Sequence, residues 1–217
     1  MMQPQERKTS LEDHWKQYRY PTGVLGRKVA ANMNKGHWDL TTWGLKRMSI
    51  KADSVILDVG CGGGKTISRL ARRAVQGKVY GIDYSADMVD FSKHVNKKLI
   101  ATNRVEIVQG TVEKTGFKDN FFDLVTAIET YYFWADLAQA FIELKRILKK
   151  GGLLLIINEM INDGIYELKN SEIIAKTHVH LVPLQEMQRM LYSAGFSCVK
   201  VYRMQKSDWN AVLAQKL

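Results

Sequence analysis

Short apolar runs alternate with helical patterns along most of the chain, from Ser54 onward. The runs are four to seven residues long, as buried parallel strands are, and they cover 55–59, 79–83, 105–108, 122–128 and 153–157. Between them, apolar residues recur every three or four positions, which predicts helices from about Lys65, after a cap at Ser85 and over 137–150. This alternation predicts an α/β fold with a doubly wound, mostly parallel sheet.

The C-terminal third continues the pattern less regularly. The helix over 137–150 is expected to end at Gly151-Gly152, because glycine favours the C-terminal cap of a helix. Residues 160–180 show no clear periodicity, and a further helix is predicted from Pro183 to Gly195. Two last strands are predicted to close the sheet, at 196–203 and 209–215.

The N-terminal segment precedes this alternation and contains no predicted strand. It predicts two helical segments between Ser10 and Arg47, interrupted by a turn at Pro21-Thr22-Gly23. We therefore expect residues 1–48 to form a helical extension and residues 49–217 to form the main domain, within one compact unit. Its place in the chain predicts that the extension forms a lid over a binding site. Deletion of the extension is therefore expected to abolish activity while leaving a folded core. The side chains expected to shape a pocket beneath it are Asn34, His37, Trp38 and Trp43.

Charge and composition narrow the function classes. Residues 1–104 carry 19 Lys/Arg against 9 Asp/Glu, so the whole net charge of +10 lies in that half. Four of these cations, Lys65, Arg69, Arg72 and Arg73, recur at helical spacing, which favours a solvated outer face over nucleic-acid binding. The two cysteines fit neither a disulfide framework nor a zinc site. Without a signal peptide or a membrane-length apolar run, a cytoplasmic protein is expected.

The first strand ends in a glycine-rich loop, Asp58-Val-Gly60-Cys61-Gly62-Gly63-Gly64. Glycines at such a turn let the backbone approach a ligand closely. A dinucleotide fingerprint would require glycine where Lys65 stands, which disfavours an NAD-dependent oxidoreductase. The acid two residues before the glycines suits a ligand with an ammonium group better than a pyrophosphate. A tight turn without a ligand is the alternative.

Asp83 ends the second strand, 19 residues after the last glycine of the loop. This is close to the spacing of about 20 residues at which a carboxylate binds a ribose. A helix cap is the alternative role for an acid at the end of a strand. Together with the preceding loop, the spacing favours ribose binding.

These motifs, in this order, resemble class I S-adenosylmethionine-dependent methyltransferases. The resemblance rests on residues 55–64 and 79–88, and on three later pieces, Gly110-Thr-Val-Glu113, Phe121-Phe-Asp-Leu-Val125 and Leu148-Lys-Lys-Gly-Gly152. It covers about residues 50–160, and Ala194-Gly195-Phe196 with the two last strands is similar to the family's antiparallel closing hairpin. The resemblance implies a Rossmann-like methyltransferase fold with a seven-stranded sheet, and S-adenosylmethionine as cofactor.

The resemblance also implies roles for single residues. Asp58 and the loop backbone, including Gly60, Cys61, Gly62 and Gly64, would hold the amino-acid part of the cofactor, and Asp83 would bind both ribose hydroxyls. Many members carry an acid at the position of Thr111, so Glu113 or a backbone group is an alternative contact there. The residues expected to surround the adenine are Tyr84, Met88, Gly110, Thr111 and Val112, and those beside the methionine part and the acceptor are Ile128, Glu129 and Thr130.

Catalysis places few demands on side chains, because the sulfonium methyl group is already activated and transfer mainly requires alignment. A general base helps where the acceptor must lose a proton. Candidates are His37, Glu129 and Glu159, each with an ordinary surface or capping role as the alternative. Tyr131-Tyr-Phe-Trp134 is expected either to contact the acceptor or to pack in the core. His178 and His180 have no third ligand nearby, so no metal site is predicted.

The sequence thus predicts an S-adenosylmethionine-dependent methyltransferase acting on a small molecule, which is not a membrane protein. An RNA or protein methyltransferase is the alternative within the same chemistry, supported only by the basic first half. A catalytically silent cofactor-binding protein is the alternative outside it. The identity of the acceptor does not follow from the sequence.

Overall fold

A computed structural model describes residues 11–177 and 179–217 of the chain. Its centre is one seven-stranded sheet with the strand order β3-β2-β1-β4-β5-β7-β6. Strands β1 to β5 run parallel to one another, whereas β7 is antiparallel to both β5 and β6. The strands are β1 Val55–Val59, β2 Lys78–Asp83, β3 Val105–Gln109, β4 Phe122–Ile128, β5 Leu148–Asn158, β6 Ser197–Arg203 and β7 Asn210–Gln215. The predicted mostly parallel sheet with an antiparallel closing hairpin is confirmed.

Helices cover both faces of the sheet, which explains the continuous apolar runs. Because successive side chains of a strand point to opposite faces, Ile56 belongs to one core cluster and Leu57 to the other. Helix α7 packs into the cluster of Leu57, and α4 packs into that of Ile56. The helices are α1 Leu11–Arg19, α2 Gly23–Gly36, α3 Trp38–Leu45, α4 Lys65–Arg73, α5 Ala86–Val95, α6 Lys97–Ala101, α7 Leu137–Ile147, α8 Glu167–Thr177 and α9 Leu184–Ser193.

Two predicted boundaries in the C-terminal third are wrong. Helix α7 ends at Ile147, and β5 runs through Gly151-Gly152, which were expected to cap the helix. Pairing with the end of the chain extends this strand, since the Gly151 amide donates to the Lys216 carbonyl (2.7 Å). The irregular stretch at 160–180 contains helix α8, which the sequence pattern did not reveal.

The described part of the N-terminal segment, residues 11–48, forms three helices rather than two. The break at Pro21–Gly23 is present as predicted, and a second break at His37 separates α2 from α3. Helix α3 belongs to the core of the main domain, because Leu40 and Leu45 are buried there. The boundary at residue 48 therefore divides a packed unit, and deletion of all 48 residues would remove part of the core.

Arg69 departs from the predicted solvated row on α4. Lys65, Arg72 and Arg73 are exposed, but Arg69 is buried. Its guanidinium lies 3.9 Å from the centre of the Trp38 ring and donates to the Trp38 carbonyl (3.1 Å). Arg69 thus fastens α4 to the start of α3.

The structural role expected of the two C-terminal histidines stays a prediction for His178, because this residue lies outside the described ranges. His180 is exposed, and its backbone amide donates to the Tyr132 carbonyl (3.1 Å). Over residues 11–177 and 179–217, no helix has both the length and the apolar character needed to cross a bilayer.

Helix α7 offers a matched test of the packing. Phe141 is fully buried and Ile142 is 53% exposed. We expect Phe141→Ala to lower the free energy of unfolding by about 3–5 kcal/mol and Ile142→Ala to change it by less than about 0.5 kcal/mol. Chemical denaturation of both variants measures the difference, and equal losses would contradict this packing.

Candidate active site

The main cleft lies at the carboxyl ends of β1, β2 and β4, where ligands of doubly wound sheets bind. It encloses about 860 Å³ of open space between the glycine-rich loop and the N-terminal helices. From the main domain it is lined by Asp58, Gly60, Cys61, Gly62, Gly63, Lys65, Thr66, Arg69, Asp83, Tyr84, Met88, Ile128, Glu129, Thr130 and Phe133.

Backbone conformation makes glycine necessary at the start of the loop. Gly60 has φ +65°, and a Cβ there would lie 2.2 Å from the Thr130 hydroxyl oxygen. Gly62 also has a positive φ, and its amide donates to the Asp83 carboxylate (2.8 Å). The loop after β1 is thereby held against the ends of β2 and β4.

Asp83 lines the cleft, and its carboxylate also accepts hydrogen bonds from two segments that surround the cleft. One carboxylate oxygen accepts from Gly62 N, and the other accepts from Ser85 N (3.0 Å) at the start of α5. Burial raises the pKa of Asp83, against the opposing effect of these two donors. Because each oxygen has two lone pairs, the carboxylate keeps the capacity to accept further hydrogen bonds from a ligand.

Asp58 provides a buried acid at the opposite side of the loop. It is 2% exposed, and the Thr126 hydroxyl donates to it (2.7 Å). Burial raises its pKa to about 7; the Thr126 hydrogen bond opposes this shift, and the charge of Asp83 adds to it. A cationic group bound beside Asp58 would favour its ionised form.

A second cavity, the edge pocket, adjoins the main cleft at the end of β3. Gly110, Thr111 and Val112 line it together with Tyr84 and Trp134. Glu113 also lines it, and its carboxylate accepts from the Ala135 amide (2.9 Å). Glu113 therefore ties the loop after β3 to the loop after β4.

A third cavity, the side chamber, brings the three predicted base candidates together. The His37 Nε2 lies 3.5 Å from Glu159 Oε1 and 3.9 Å from Glu129 Oε2. His37 comes from the break between α2 and α3, Glu129 follows β4 and Glu159 follows β5. One donor atom of each residue lies within 4.8 Å of the others, so this set could also hold a metal ion, although none was predicted.

Glu129 is held in a fixed orientation at the centre of this cluster. It has φ +56° and is 6% exposed. The Tyr132 hydroxyl donates to one of its carboxylate oxygens (2.7 Å), and the Glu159 amide donates to the other. Burial raises its pKa to about 7, although the charge of His37 opposes this shift.

His37 stands between the two carboxylates. Burial alone would lower its pKa, but the hydrogen bond to Glu159 and the charges of Glu129 and Glu159 together raise it. The cluster therefore contains groups that can exchange protons near neutral pH.

The side chamber is defined by residues from both ends of the chain. It adjoins the main cleft, with which it shares Tyr18, Met33, His37, Glu129 and Phe133. The other lining residues are Tyr132, Glu159, Met160, Ile173, Thr177 and Val179. It has about 400 Å³ of open space.

The N-terminal helices cover the main cleft through contacts with its far rim. The Gly23 amide donates to the Asp87 carboxylate (2.9 Å), and the Ser85 hydroxyl donates to the Pro21 carbonyl (2.8 Å). The rings of Tyr20 and Tyr84 pack 5.0 Å apart. This segment adds Tyr18, Arg19, Pro21, Ala30, Met33, Asn34, His37 and Thr41 to the cleft lining.

Not every predicted site residue lines a cavity. Gly64 lies outside the linings, because it packs against Ser92 and accepts from the Asn96 side chain (2.9 Å). Trp38 and Trp43 also lie outside, the first under Arg69 and the second against Trp209.

The aromatic run lies partly in the core and partly along the cavities. Tyr131 and Tyr132 are buried in the core cluster, although Tyr132 also borders the side chamber. Phe133 lines all three cavities, and Trp134 lines the edge pocket. Core packing is therefore present for the first two residues, and contact with the acceptor stays a prediction.

Comparison with known proteins identifies the family. A family model described as a methyltransferase domain matches residues 57–156. The chain is 26% identical over 190 residues to a demethylmenaquinone methyltransferase of Lactiplantibacillus plantarum, which covers 77% of the chain and 79% of that relative. The chain therefore contains a methyltransferase domain, and the curated relatives that it matches include methyltransferases. It spans about half the length of several other curated relatives that it matches.

Solved methyltransferase structures have the same fold. A methyltransferase of Haloferax volcanii, described as putative and solved with a methyltransferase activator, superposes with a TM-score of 0.78 at 18% identity, over 87% of this chain and 93% of that one. An S-adenosylmethionine-dependent methyltransferase of Aquifex aeolicus superposes with a TM-score of 0.69 at 23% identity, over 88% and 98%. The Rossmann-like methyltransferase fold is thus confirmed.

The glycine-rich loop of this methyltransferase provides a matched pair of variants. We expect Gly60→Ala to weaken S-adenosylmethionine binding more than about tenfold, because its Cβ would displace Thr130 from the cleft. Gly116 also has a positive φ, +75°, but a Cβ there meets nothing within 4 Å. Gly116→Ala should carry the same backbone strain and leave the affinity unchanged. Calorimetric titration of both folded variants with S-adenosylmethionine measures the two affinities. Equal affinities would contradict the proposed contact between the Gly60 loop and the ligand.

Proposed function

We propose that this methyltransferase transfers the methyl group of S-adenosylmethionine to a small-molecule acceptor bound in the side chamber. The observation that supports this assignment is the junction of the two cavities at His37, Glu129 and Phe133. A cofactor in the main cleft and an acceptor in the side chamber would meet there. The side chamber is a recess beside the main cleft, walled by side chains from several separate elements, and such a recess suits a small molecule better than a segment of RNA or protein.

The cofactor is proposed to lie along the ends of the strands. Asp58, with the backbone of Gly60 and Gly62, would hold the ammonium and carboxylate groups of its methionine part. Asp83 would accept from the ribose hydroxyls. The adenine would occupy the edge pocket between Tyr84, Gly110, Thr111 and Val112, with Met88 bordering it from the main cleft. Ile128 and Glu129 would border the methionine part and the sulfonium.

The relatives support a small acceptor. The Lactiplantibacillus plantarum relative is a demethylmenaquinone methyltransferase, and a further relative in Nostoc punctiforme is a 2-phytyl-1,4-naphtoquinone methyltransferase. The aromatic rings around the side chamber, from Tyr18, Tyr132 and Phe133, suit a compact organic molecule. Turnover to S-adenosylhomocysteine with a panel of metabolites tests the function directly.

The cluster of His37, Glu129 and Glu159 is proposed to receive the proton that the acceptor loses. We expect Glu129→Gln to lower kcat about 100-fold or more, with S-adenosylhomocysteine affinity retained, because the amide cannot accept that proton. Glu186→Gln, at a half-exposed position on α9 that lines none of the three cavities, is the control and should leave kcat unchanged.

The pH dependence of kcat/KM is expected to follow from the ionisation of Glu129. Glu129 accepts a proton only when it is ionised, and burial raises its pKa to about 7. The value of kcat/KM should therefore fall about tenfold per pH unit below about pH 7. The titratable groups facing Glu129 are His37, Glu159 and Tyr132. In Glu129→Gln, the fall of kcat/KM on the acid side of the pH profile should disappear. A profile identical in both proteins would rule out Glu129 as the base.

Helices α1 and α2 are proposed to form the lid, in place of the whole segment 1–48. The described side chains of α1 are not buried in either core cluster, whereas Tyr18 and Arg19 line the cavities. Removal of residues 1–20 should preserve the circular dichroism spectrum and lower kcat/KM about tenfold or more, because the chamber loses one wall. Unchanged turnover in the folded truncation would rule out α1 as part of the lid.

A further inference from the structure

Helix α2 lies across the main cleft and contacts the main domain near both of its ends. At its start, the Gly23 amide donates to the Asp87 carboxylate of α5 (2.9 Å). In its last turn, Asn34 rests on the glycine-rich loop, because a Cβ on Gly63 would lie 2.2 Å from the Asn34 amide nitrogen. The rise of a helix places these two contacts about 16 Å apart, one on each side of the cleft.

The contact with Asn34 accounts for a glycine that the backbone conformation does not require. Gly60, Gly62 and Gly64 have a positive φ, and Gly63 does not. A side chain at Gly63 would nevertheless collide, since the three atoms nearest to a Cβ there all belong to the Asn34 side chain. The loop therefore leaves room for one neighbour at this point, and that neighbour comes from the lid.

The Asn34 side chain lies where the amino-acid part of the cofactor is proposed to bind. It lines the cleft together with Gly63 and Lys65. Asp58, at the opposite side of the loop, suits the ammonium group, so the carboxylate requires donors away from that acid. The Asn34 amide offers two N–H donors, and Lys65 brings a positive charge to the same stretch of the loop.

We propose that Asn34 binds the carboxylate of S-adenosylmethionine and thereby fastens the lid over the bound cofactor. The inference rests on the proposed function, since it adds a binding residue from the lid to that same site. The Asn34 amide would donate to the carboxylate from α2, while the loop backbone holds the same group from the main domain. The cofactor would thus reinforce the contact between Asn34 and Gly63.

The fastening would reach the acceptor side of the site through the last turn of α2. His37 follows that turn, and its amide donates to the Met33 carbonyl (2.9 Å). Met33 and His37 both line the main cleft and the side chamber. Because one helical turn connects them to Asn34, a carboxylate that holds Asn34 would also fix one wall of the chamber. The cofactor would therefore bind first and complete the chamber for the acceptor.

Two ligands that differ in the amino-acid part test the contact: S-adenosylhomocysteine, and methylthioadenosine, which lacks the ammonium and carboxylate groups. Each is titrated by calorimetry into the full chain. We expect Asn34→Ala to weaken S-adenosylhomocysteine about tenfold or more, because a hydrogen bond to a charged group is lost. The affinity for methylthioadenosine should stay unchanged.

A second substitution separates a contact with the carboxylate from one with the ammonium group. Asn34→Asp should weaken S-adenosylhomocysteine more than Asn34→Ala does, since two carboxylates repel each other. A higher affinity in Asn34→Asp would assign the residue to the ammonium group and overturn the proposal. The controls are Asn32→Ala and Asn32→Asp, because Asn32 is exposed on the same helix and lines none of the three cavities. Both should bind S-adenosylhomocysteine as the unaltered protein does.

Gly63→Ala tests the same contact from the loop, because its Cβ displaces the Asn34 amide at a position without a positive φ. It should weaken S-adenosylhomocysteine about as much as Asn34→Ala does. The double variant should bind no more weakly than either single variant, since both remove one interaction. Additive losses would contradict the contact.

Hydrogen exchange measures the lid itself. Saturating S-adenosylhomocysteine should slow the exchange of the amides over 30–37 more than saturating methylthioadenosine does, because only the first ligand carries the carboxylate. Equal slowing by both ligands would overturn the coupling between the carboxylate and the lid.

Failure of the inference and failure of the proposed function give different results. If the unaltered protein binds neither S-adenosylmethionine nor S-adenosylhomocysteine, the proposed function is refuted, and the inference with it. If it binds both, equal affinities of Asn34→Ala and Asn32→Ala for S-adenosylhomocysteine overturn the inference alone. An equal loss of both ligands in Asn34→Ala has the same meaning, because methylthioadenosine has no carboxylate to lose.

Discussion

The burial of carboxylates at the ends of adjacent strands is the constraint on which the site depends. Asp58 ends the strand segment before the glycine loop, Asp83 ends β2 and Glu129 follows β4, and all three are at least nine-tenths buried. Each must be compensated by donors that the fold supplies. The structure supplies them from neighbouring strand ends: Thr126 for Asp58, the amides of the loop and of α5 for Asp83, and Tyr132 for Glu129. The same hydrogen bonds fix the shape of the cleft.

The two halves of the site are built from different parts of the chain. The matched methyltransferase domain, residues 57–156, contains the glycine loop, Asp83 and the edge pocket. In the side chamber only Glu129, Tyr132 and Phe133 come from that range, and the remaining walls come from α1, α2, α8 and the end of β5. The matched domain therefore provides most of the main-domain lining of the cleft, whereas segments outside that domain build most of the side chamber.

The sheet, and the position of Asp58 and Asp83 at one edge of it, could be predicted from the sequence for a physical reason. Each strand is one contiguous apolar run, and Asp58 and Asp83 are placed by strand ends that parallel pairing brings to one edge. The chamber could not be predicted, because Tyr18, His37 and Glu159 meet only through tertiary packing. Arg69 shows the same limit: its helical spacing indicated solvent, whereas the Trp38 ring covers it. Helix α8 was missed because amphipathic periodicity is weak over 167–177.

The close approach of α3 to β5 has a consequence for how the chamber works. A Cβ at Gly44 would lie 2.3 Å from the Ile157 side chain, so the helix rests directly on the strand. His37 immediately precedes that helix and Glu159 follows that strand, so this contact brings the backbones of both residues together. Backbone packing therefore contributes to the separation of their side chains. A small residue that lines none of the three cavities thus helps to set the distance between two titratable groups inside one of them.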